Sequence, residues 1–276
     1  MPTPRTALTP RRRRRPSRAA AWAGALLAAA GGGWALAQAA TGPAAPSYGG
    51  AVRQRIVLGR SAAGRQIVAV RLGNPESPRR LLVVGSIHGS EDAGVAVARR
   101  LTRMPAPSDL DVWVIATLNP DGIAGGTRQN GRGVDLNRNF PFRWRPLDRR
   151  GDMQYSGERA LSEPESRIAW RLINRIHPRV TIWFHQALGV VDLSGGRAEI
   201  EWRYARLVGL PVRRLPRYPG SATTWQNNTF PSGTAFVVEL RRGRLSPRQA
   251  GRFAAAALAV AAIPFSSPRG RASAPR

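Results

Sequence analysis

Short runs of β-branched and apolar residues alternate along the chain with longer amphipathic stretches. Five runs have the length and composition of buried strands: 66–72, 81–87, 112–118, 180–184 and 235–240. Four other stretches repeat their apolar residues with helical spacing: 93–104, 163–176, 198–208 and 248–262. This alternation predicts a single-domain α/β/α sandwich around a mixed, largely parallel central sheet.

The N-terminal segment differs from this body. A basic block at residues 11–15 precedes an apolar run over residues 19–40, and cleavage motifs of the A-x-A kind lie at 35–37 and 37–39. The order is typical of a signal peptide, and the run is also near the length of an uncleaved membrane anchor. Under either interpretation the protein is exported, and is secreted or anchored to the outer face of the cytoplasmic membrane.

The remaining boundaries follow from composition. Residues 41–50 are rich in proline and glycine and are predicted to be a linker. Residues 51–263 carry all the predicted strands and helices, and no repeat or second linker interrupts them, so they are predicted to form one domain. Residues 264–276 contain mainly serine, proline, alanine and arginine and are predicted to be a disordered basic tail.

Charge and cysteine content limit the chemistry. The formal net charge is +27, and all 43 basic residues are arginine. Such a balance favours an anionic wall polymer or a membrane surface as a partner, although a codon bias towards arginine explains it equally well. No nucleic-acid-binding motif accompanies the charge. The chain has no cysteine, which excludes disulfides and thiol catalysis, so His, Asp and Glu must hold any metal.

Two of the three histidines follow predicted strands. His88 and Glu91 form an H-x-x-E motif directly after the run 81–87, and His185 follows the run 180–184. The carboxyl ends of strands in α/β sheets are where ligand-binding loops gather. A His, Glu, His set leaves zinc an open position for water, which is the catalytic arrangement. Taken singly, each residue also fits an ordinary surface or core position. His177 is offset from every motif and is predicted to lie on the surface at a helix end.

Two further positions suggest substrate chemistry. Glu239 lies inside the apolar run 235–240, where a carboxylate is unfavourable unless it is paired or functional. A partly desolvated glutamate suits a general base, and a salt bridge to an arginine is the structural alternative. Arg138 offers a planar fork that matches a carboxylate, and with the amide of Asn137 it can hold a terminal carboxylate group.

Taken in order, these motifs resemble a known family. They comprise G-x-I-H-G-x-E at 85–91, N-P-D-G at 119–122, Arg128, D-L-N-R-N-F at 135–140, S-E-P-E at 162–165, His185 and Glu239. Together they are similar to the zinc metallocarboxypeptidases related to carboxypeptidase A, especially the short bacterial branch that includes murein peptide amidases. The resemblance covers about residues 50–263 and implies a zinc carboxypeptidase-like fold.

The resemblance also implies a role for each motif residue. One zinc ion per chain would bind to His88, Glu91 and His185, and Glu239 would act as general base. Arg128 would stabilise the oxyanion of the tetrahedral intermediate. The substrate's terminal carboxylate would bind to Asn137 and Arg138, and Tyr218 would close over the substrate. The floor of the specificity pocket would lie near residues 222–224, which carry no charge.

Three functions follow as expectations. The first is a zinc metallocarboxypeptidase that hydrolyses the C-terminal bond of a peptide or a cell-wall peptide. The second is an N-acyl amino acid deacylase of the related zinc branch, which N-P-D-G and S-E-P-E disfavour. The third is a catalytically dead, polyanion-binding cell-wall protein, which the intact set of motif residues disfavours.

Overall fold

The computed structural model describes residues 52–264. The described residues belong to one compact unit. The predicted signal or anchor segment, the linker and residues 265–276 of the predicted tail lie outside the described residues. Within the described part of the chain, no helix has the length and apolar character needed to cross a membrane.

Strands and helices alternate through most of the described chain. The strands are β1 (Val52–Arg60), β2 (Gln66–Gly73), β3 (Arg80–Val84), β4 (Asp111–Ile115), β5 (Val180–Asp192), β6 (Val212–Arg213) and β7 (Thr234–Arg241). The α-helices are α1 (Ala93–Leu101), α2 (Pro120–Gly125), α3 (Pro164–Ile176), α4 (Ala198–Val208), α5 (Ala222–Thr229) and α6 (Pro247–Ala261). A short 3-10 turn covers Leu136–Arg138.

The strands form one mixed sheet in the order β1-β2-β4-β3-β5-β6, with β7 also paired to β5. The pairs β3–β4, β3–β5, β5–β6 and β5–β7 are parallel, whereas β1–β2 and β2–β4 are antiparallel. The prediction of a mixed, largely parallel sheet is therefore confirmed. Because β3 and β5 are parallel neighbours, the loop that follows β3 lies beside the residues of β5 that come after Trp183.

Helices cover both faces of the sheet. Leu81 and Val83 of β3 point into a core cluster that also holds apolar residues of α1, α4 and α6. Leu82 and Val84 point into a second cluster with apolar residues of α3 and α5. Alternate side chains of one strand thus enter two separate cores, as the two-residue period of a strand requires. This is the predicted sandwich.

The five predicted strands and four predicted helices are all present, with ends shifted by at most three residues except at the end of β5. Four further strands and α-helices carry weak sequence signals: β1, β6, α2 and α5, of which β6 has only two residues. The strand β1 pairs only with β2 at the edge of the sheet, and its arginines and glycine interrupt the apolar pattern. The helices α2 and α5 have six and eight residues, too few for a clear helical period.

One boundary at the site is wrong in the sequence prediction. The strand containing His185 does not end there, because β5 continues to Asp192. Its backbone stays paired with β7 through this stretch, with register irregularities between Ala187 and Val191. The strand β5 is longer because it pairs with β7, which is distant in the sequence. The local pattern around His185 therefore does not indicate the extension.

Candidate metal centre

Three side chains meet beyond the carboxyl end of β3, two from the loop that follows it and one from the neighbouring strand β5. Val84, the last residue of β3, pairs in register with Trp183 of β5, so the loop after β3 lies beside His185. The Nδ1 atom of His185 is 3.1 Å from Nδ1 of His88 and 2.9 Å from Oε2 of Glu91. Nδ1 of His88 is 3.0 Å from the same Glu91 oxygen. The structure therefore brings the three predicted metal ligands to one point.

The hydrogen bonds behind this cluster fit a bound zinc ion. Nε2 of His88 lies 3.0 Å from Oδ1 of Asp135, a fully buried carboxylate. A carboxylate at Nε2 holds the proton there and leaves the Nδ1 lone pair of His88 facing Glu91 and His185. Two imidazole nitrogens and a carboxylate oxygen form a donor set that zinc prefers, with a fourth position left for water. The residues present fit the metal.

The loop that carries the first two ligands is held by a close backbone contact. Gly89 packs so tightly on Gly122 that a Cβ atom at Gly89 would lie 1.8 Å from the carbonyl carbon of Gly122. Asn119 accepts a hydrogen bond from the Gly122 N–H and caps α2. The N-P-D-G motif therefore holds the backbone of the ligand loop in place. Its role is structural.

Arg128 lies directly against the cluster. Its Nη1 donates to Oε1 of Glu91 at 2.7 Å, and its Nε donates to Oδ2 of Asp135 at 3.0 Å. The side-chain amide of Asn119 donates to the carbonyl of Arg128, which holds the backbone in place. Burial alone would raise the pKa of Asp135, but His88 and Arg128 together hold that pKa well below its ordinary value. Asp135 is thus a charged link between a ligand and the arginine.

Glu239 lines the same cavity from the next strand. It is the register partner of His185 in the β5–β7 pair, and its Oε2 lies 3.5 Å from the Leu188 N–H. Burial raises the pKa of the Glu239 carboxyl, and the nearby His185 only partly opposes this shift. Within residues 52–264 Glu239 forms no salt bridge, so the arginine pairing considered from the sequence is absent. A half-buried carboxylate with a raised pKa is suited to accept and return a proton.

A second group of predicted residues forms another wall of the cavity. The guanidinium of Arg138 stacks 4.0 Å from the ring centre of Tyr218 and donates to the Gln154 side chain. Oδ1 of Asn137 accepts from the Ala222 N–H, so its Nδ2 group is the end that can donate to a substrate. Burial lowers the pKa of Arg138. Gly220, with φ of 68°, packs on the Arg138 carbonyl and brings Tyr218 close.

The cavity that joins these groups has a volume of about 370 Å³ and includes a charged pair. Arg217 donates to Oδ2 of the buried Asp192 at 2.6 Å, and both residues line the cavity. This ion pair adds charge to the cavity wall outside residues 222–224, the uncharged stretch expected at the pocket floor. Thr223 does line the cavity, but the loop before α5 and the extension of β5 add the ion pair. That extension depends on β7 and left no local sequence signal.

Two residues that the sequence prediction did not assign also shape the site. Asp135 holds His88 and Arg128, and its signal was its place within D-L-N-R-N-F beside two assigned residues. Gln186 donates its backbone N–H to Oε2 of Glu91, and its side chain joins Ala93 to the end of β7. Nothing in the local sequence marked Gln186. His177 caps α3 on the surface, as predicted.

Comparison with known proteins agrees with this geometry. The zinc carboxypeptidase family matches residues 47–192, a segment that contains His88, Glu91 and His185 but ends before Tyr218 and Glu239. Murein peptide amidase A of Escherichia coli K12 is 32% identical over 157 residues, which cover 52% of this chain and 64% of that protein. The Vibrio campbellii protein of the same name is 32% identical over 166 residues, covering 55% of this chain and 66% of its own. The matches thus span less than two thirds of either relative.

Solved structures extend the similarity over more of the fold. The murein-tripeptide amidase of Escherichia coli O157 aligns with a TM-score of 0.63 and 26% identity, covering 79% of this chain and 96% of that one. The carboxypeptidase A of Helicoverpa armigera aligns with a TM-score of 0.66 over 76% of this chain and 68% of its own. At 19% identity, the second comparison shows the fold alone.

Proposed function

The chain belongs to the zinc carboxypeptidase family, and from this membership we propose that it hydrolyses the bond before the C-terminal residue of a cell-wall peptide. One observation carries the proposal. A single cavity contains the His88, Glu91, His185 cluster together with Glu239 and the Arg138 guanidinium. The peptide class is proposed because two relatives are murein peptide amidases.

Zinc, when bound to the cluster, supplies a Lewis acid that polarises a carbonyl group and acidifies a water molecule. The Glu239 carboxylate accepts a proton from the attacking water and returns it to the leaving amine. Its position beside His185 in the β5–β7 pair supports this role. Arg128 presents a positive charge at the same end of the cavity and stabilises negative charge that develops on the substrate oxygen.

Residues on the opposite wall of the cavity orient the substrate. Arg138 is 5% exposed and belongs to the cavity lining, so a substrate carboxylate that reaches it leaves water. A charge-assisted bond to a guanidinium in such a place is stronger than one on the surface. The Nδ2 group of Asn137 provides a second donor. Tyr218 is 41% exposed above Arg138 and covers this end of the cavity.

Peptide hydrolysis tests the proposal directly. Purified protein is incubated with zinc and either muropeptides, ordinary peptides or N-acyl amino acids, and released residues are identified by mass spectrometry. We expect release of the C-terminal residue from a muropeptide, and no release by the Glu239→Gln variant or in the presence of a chelator. Hydrolysis of only the N-acyl amino acids would replace the proposal with deacylation. A protein that binds zinc and hydrolyses nothing would refute it.

We also propose that the protein acts outside the cytoplasm. The support is the basic block at residues 11–15 followed by the apolar run at 19–40. Cell fractionation locates the protein, and N-terminal sequencing of the mature chain separates a cleaved signal from a retained anchor. A protein recovered only from the cytoplasm with an intact N-terminus would overturn the proposal.

A further inference from the structure

The outer surface of one helix layer carries a concentrated positive charge. The helices α1, α6 and α4 pack side by side over the same core cluster. Their solvent-facing sides bear six exposed arginines, here called the arginine face: Arg99, Arg100, Arg203, Arg206, Arg248 and Arg252. The opposite layer, formed by α3 and α5, covers the other core cluster. The charge therefore belongs to one defined side of the sandwich.

The arginines of this face extend across the boundaries between helices. Nε of Arg100 on α1 lies 3.7 Å from the point that a Cβ atom on Gly251 of α6 would occupy. Nη1 of Arg252 on α6 lies 3.7 Å from the corresponding point on Gly209, which ends α4. The side chains thus connect the three helices into one continuous cationic surface.

Acidic residues do not neutralise this surface. The helices α1 and α6 contain no acidic residue, and α4 contains Glu199 and the buried Glu201. Glu199 lies 3.8 Å from Arg197. Across residues 202–264 there are ten arginines, and Glu239 of the cavity is the only acidic residue. In the part of the chain that the structure describes, none of the six arginines forms a salt bridge.

Apolar side chains project from the same face. Trp202 is 50% exposed and Leu207 is 42% exposed, beside Arg203 and Arg206 on the outer side of α4. A soluble polyanion offers such side chains little, whereas a lipid surface accepts tryptophan and leucine at the level of the headgroups. The combination of arginine and tryptophan on one helix side is the chemistry of an interfacial membrane contact.

We propose that the arginine face, together with Trp202 and Leu207, docks the folded domain on an anionic lipid surface. None of the described residues that line the catalytic cavity belongs to α1, α4 or α6. Docking therefore leaves the cavity open to substrate. The proposal goes beyond peptide hydrolysis and does not require it.

Vesicle binding tests the proposal on residues 47–276, whose described part is one compact unit that contains both core clusters. Co-sedimentation is measured with phosphatidylcholine vesicles and with vesicles containing about 30% phosphatidylglycerol, in about 0.1 M salt. One variant replaces Arg203, Arg206, Arg248 and Arg252 by glutamine. The matched control makes the same charge change on the opposite layer and edge strand, at Arg55, Arg60, Arg171 and Arg175.

We expect binding to the anionic vesicles alone. The face variant should lower the partition coefficient by at least about tenfold, and the matched control by less than about threefold. Trp202→Ala should weaken vesicle binding several-fold while leaving binding to soluble polyphosphate unchanged. Circular dichroism confirms that each variant is folded, and hydrolysis of a soluble peptide should be the same in the face variant and the wild type.

Three results would each overturn the proposal. Equal losses in the face variant and its matched control would show a general charge effect. Binding to polyphosphate without binding to anionic vesicles would assign the face to a polymer. A Trp202→Ala variant that binds vesicles like the wild type would remove the lipid contact. Loss of peptide hydrolysis with normal vesicle binding would count against the proposed function alone, so the two failures are distinguishable.

Discussion

The molecule contains two groups of buried carboxylates whose surroundings differ. At the metal centre, Glu91 lies within hydrogen-bonding distance of two histidines and of Arg128, beside an open cavity. In the second group, Glu163 and Glu165 both accept from the side-chain amide of Asn130. Glu165 also accepts from the Ala62 N–H. We refer to Asn130, Glu163 and Glu165 as the Asn130 network.

The difference shows how a site is distinguished from a structural network. In the Asn130 network the two carboxylates face donors, namely the Asn130 amide, the Ala62 N–H, the Ser162 hydroxyl and the Arg132 guanidinium. None of the three network residues lines the catalytic cavity. At the metal centre the facing atoms are mostly lone-pair donors, two Nδ1 atoms and a carboxylate oxygen within 3.1 Å. Atoms of that kind approach so closely only around a proton or a cation. Burial of acids is common to both regions, whereas convergence of lone pairs on a cavity occurs at the metal centre.

The largest expected effect separates chemistry from metal binding. Glu239→Gln keeps the size of the side chain but removes its basicity, so turnover should fall by about a thousandfold or more. Zinc content measured by elemental analysis should stay at one ion per chain. A Glu239→Gln enzyme with near-normal turnover would show that another group moves the proton.

The next effect concerns the carboxylate behind the ligand. Asp135→Asn removes the charge that holds the Nε2 proton of His88, so zinc affinity should fall by about 10- to 100-fold. Competition with a fluorescent chelator measures that affinity. The matched control is Asp121→Asn, which changes a different buried carboxylate that bonds Ser61 and Ala63. Equal losses of zinc affinity in the two variants would show that Asp135 does not act specifically through His88.

A third variant tests the structural side of the comparison. Asn130→Ala leaves Glu163 and Glu165 without their shared donor, so the free energy of unfolding should fall by about 2 kcal/mol. Urea unfolding of the metal-free protein measures the change. Zinc affinity should stay within about twofold of the wild type. A large loss of zinc affinity in this variant would show that the Asn130 network also supports the metal centre.

The smallest effect depends on pH. Burial alone would raise the pKa of Asp121, but the Ala63 N–H, the Ser61 hydroxyl and Arg65 outweigh it and lower that pKa. A lowered folded pKa contributes stability above the unfolded pKa of about 3.9, and this contribution is lost as the pH falls. Asp121→Asn should therefore destabilise the protein at pH 6 and less at pH 3. Urea midpoints at the two values measure this, and a constant difference between the proteins would contradict the assignment.

Much of the metal centre was predictable because His88, His185 and Glu239 follow or lie within runs with a clear apolar strand pattern. The runs before His88 and around Glu239 mark strands without knowledge of their neighbours. The roles of N-P-D-G and S-E-P-E were not predictable in the same way. Gly122 supports Gly89 by a backbone contact, and Glu163 binds Asn130 from 33 residues away. Such contacts form between residues that are distant in the sequence and close in space, so residue type alone does not predict them.

The sequence by itself determined the alternation of strands and helices, the strand-end positions of His88 and Glu91, the arginine excess and the family. Tertiary structure decided that β3 lies beside β5, which brings His185 to within 3.1 Å of His88. It also decided that β5 continues to Asp192 and adds a charged pair to the cavity, and that arginines of α1, α4 and α6 share one face. The physical reason is common to all three. Local pattern sets the element, whereas pairing between distant strands and packing between helices set which side chains meet.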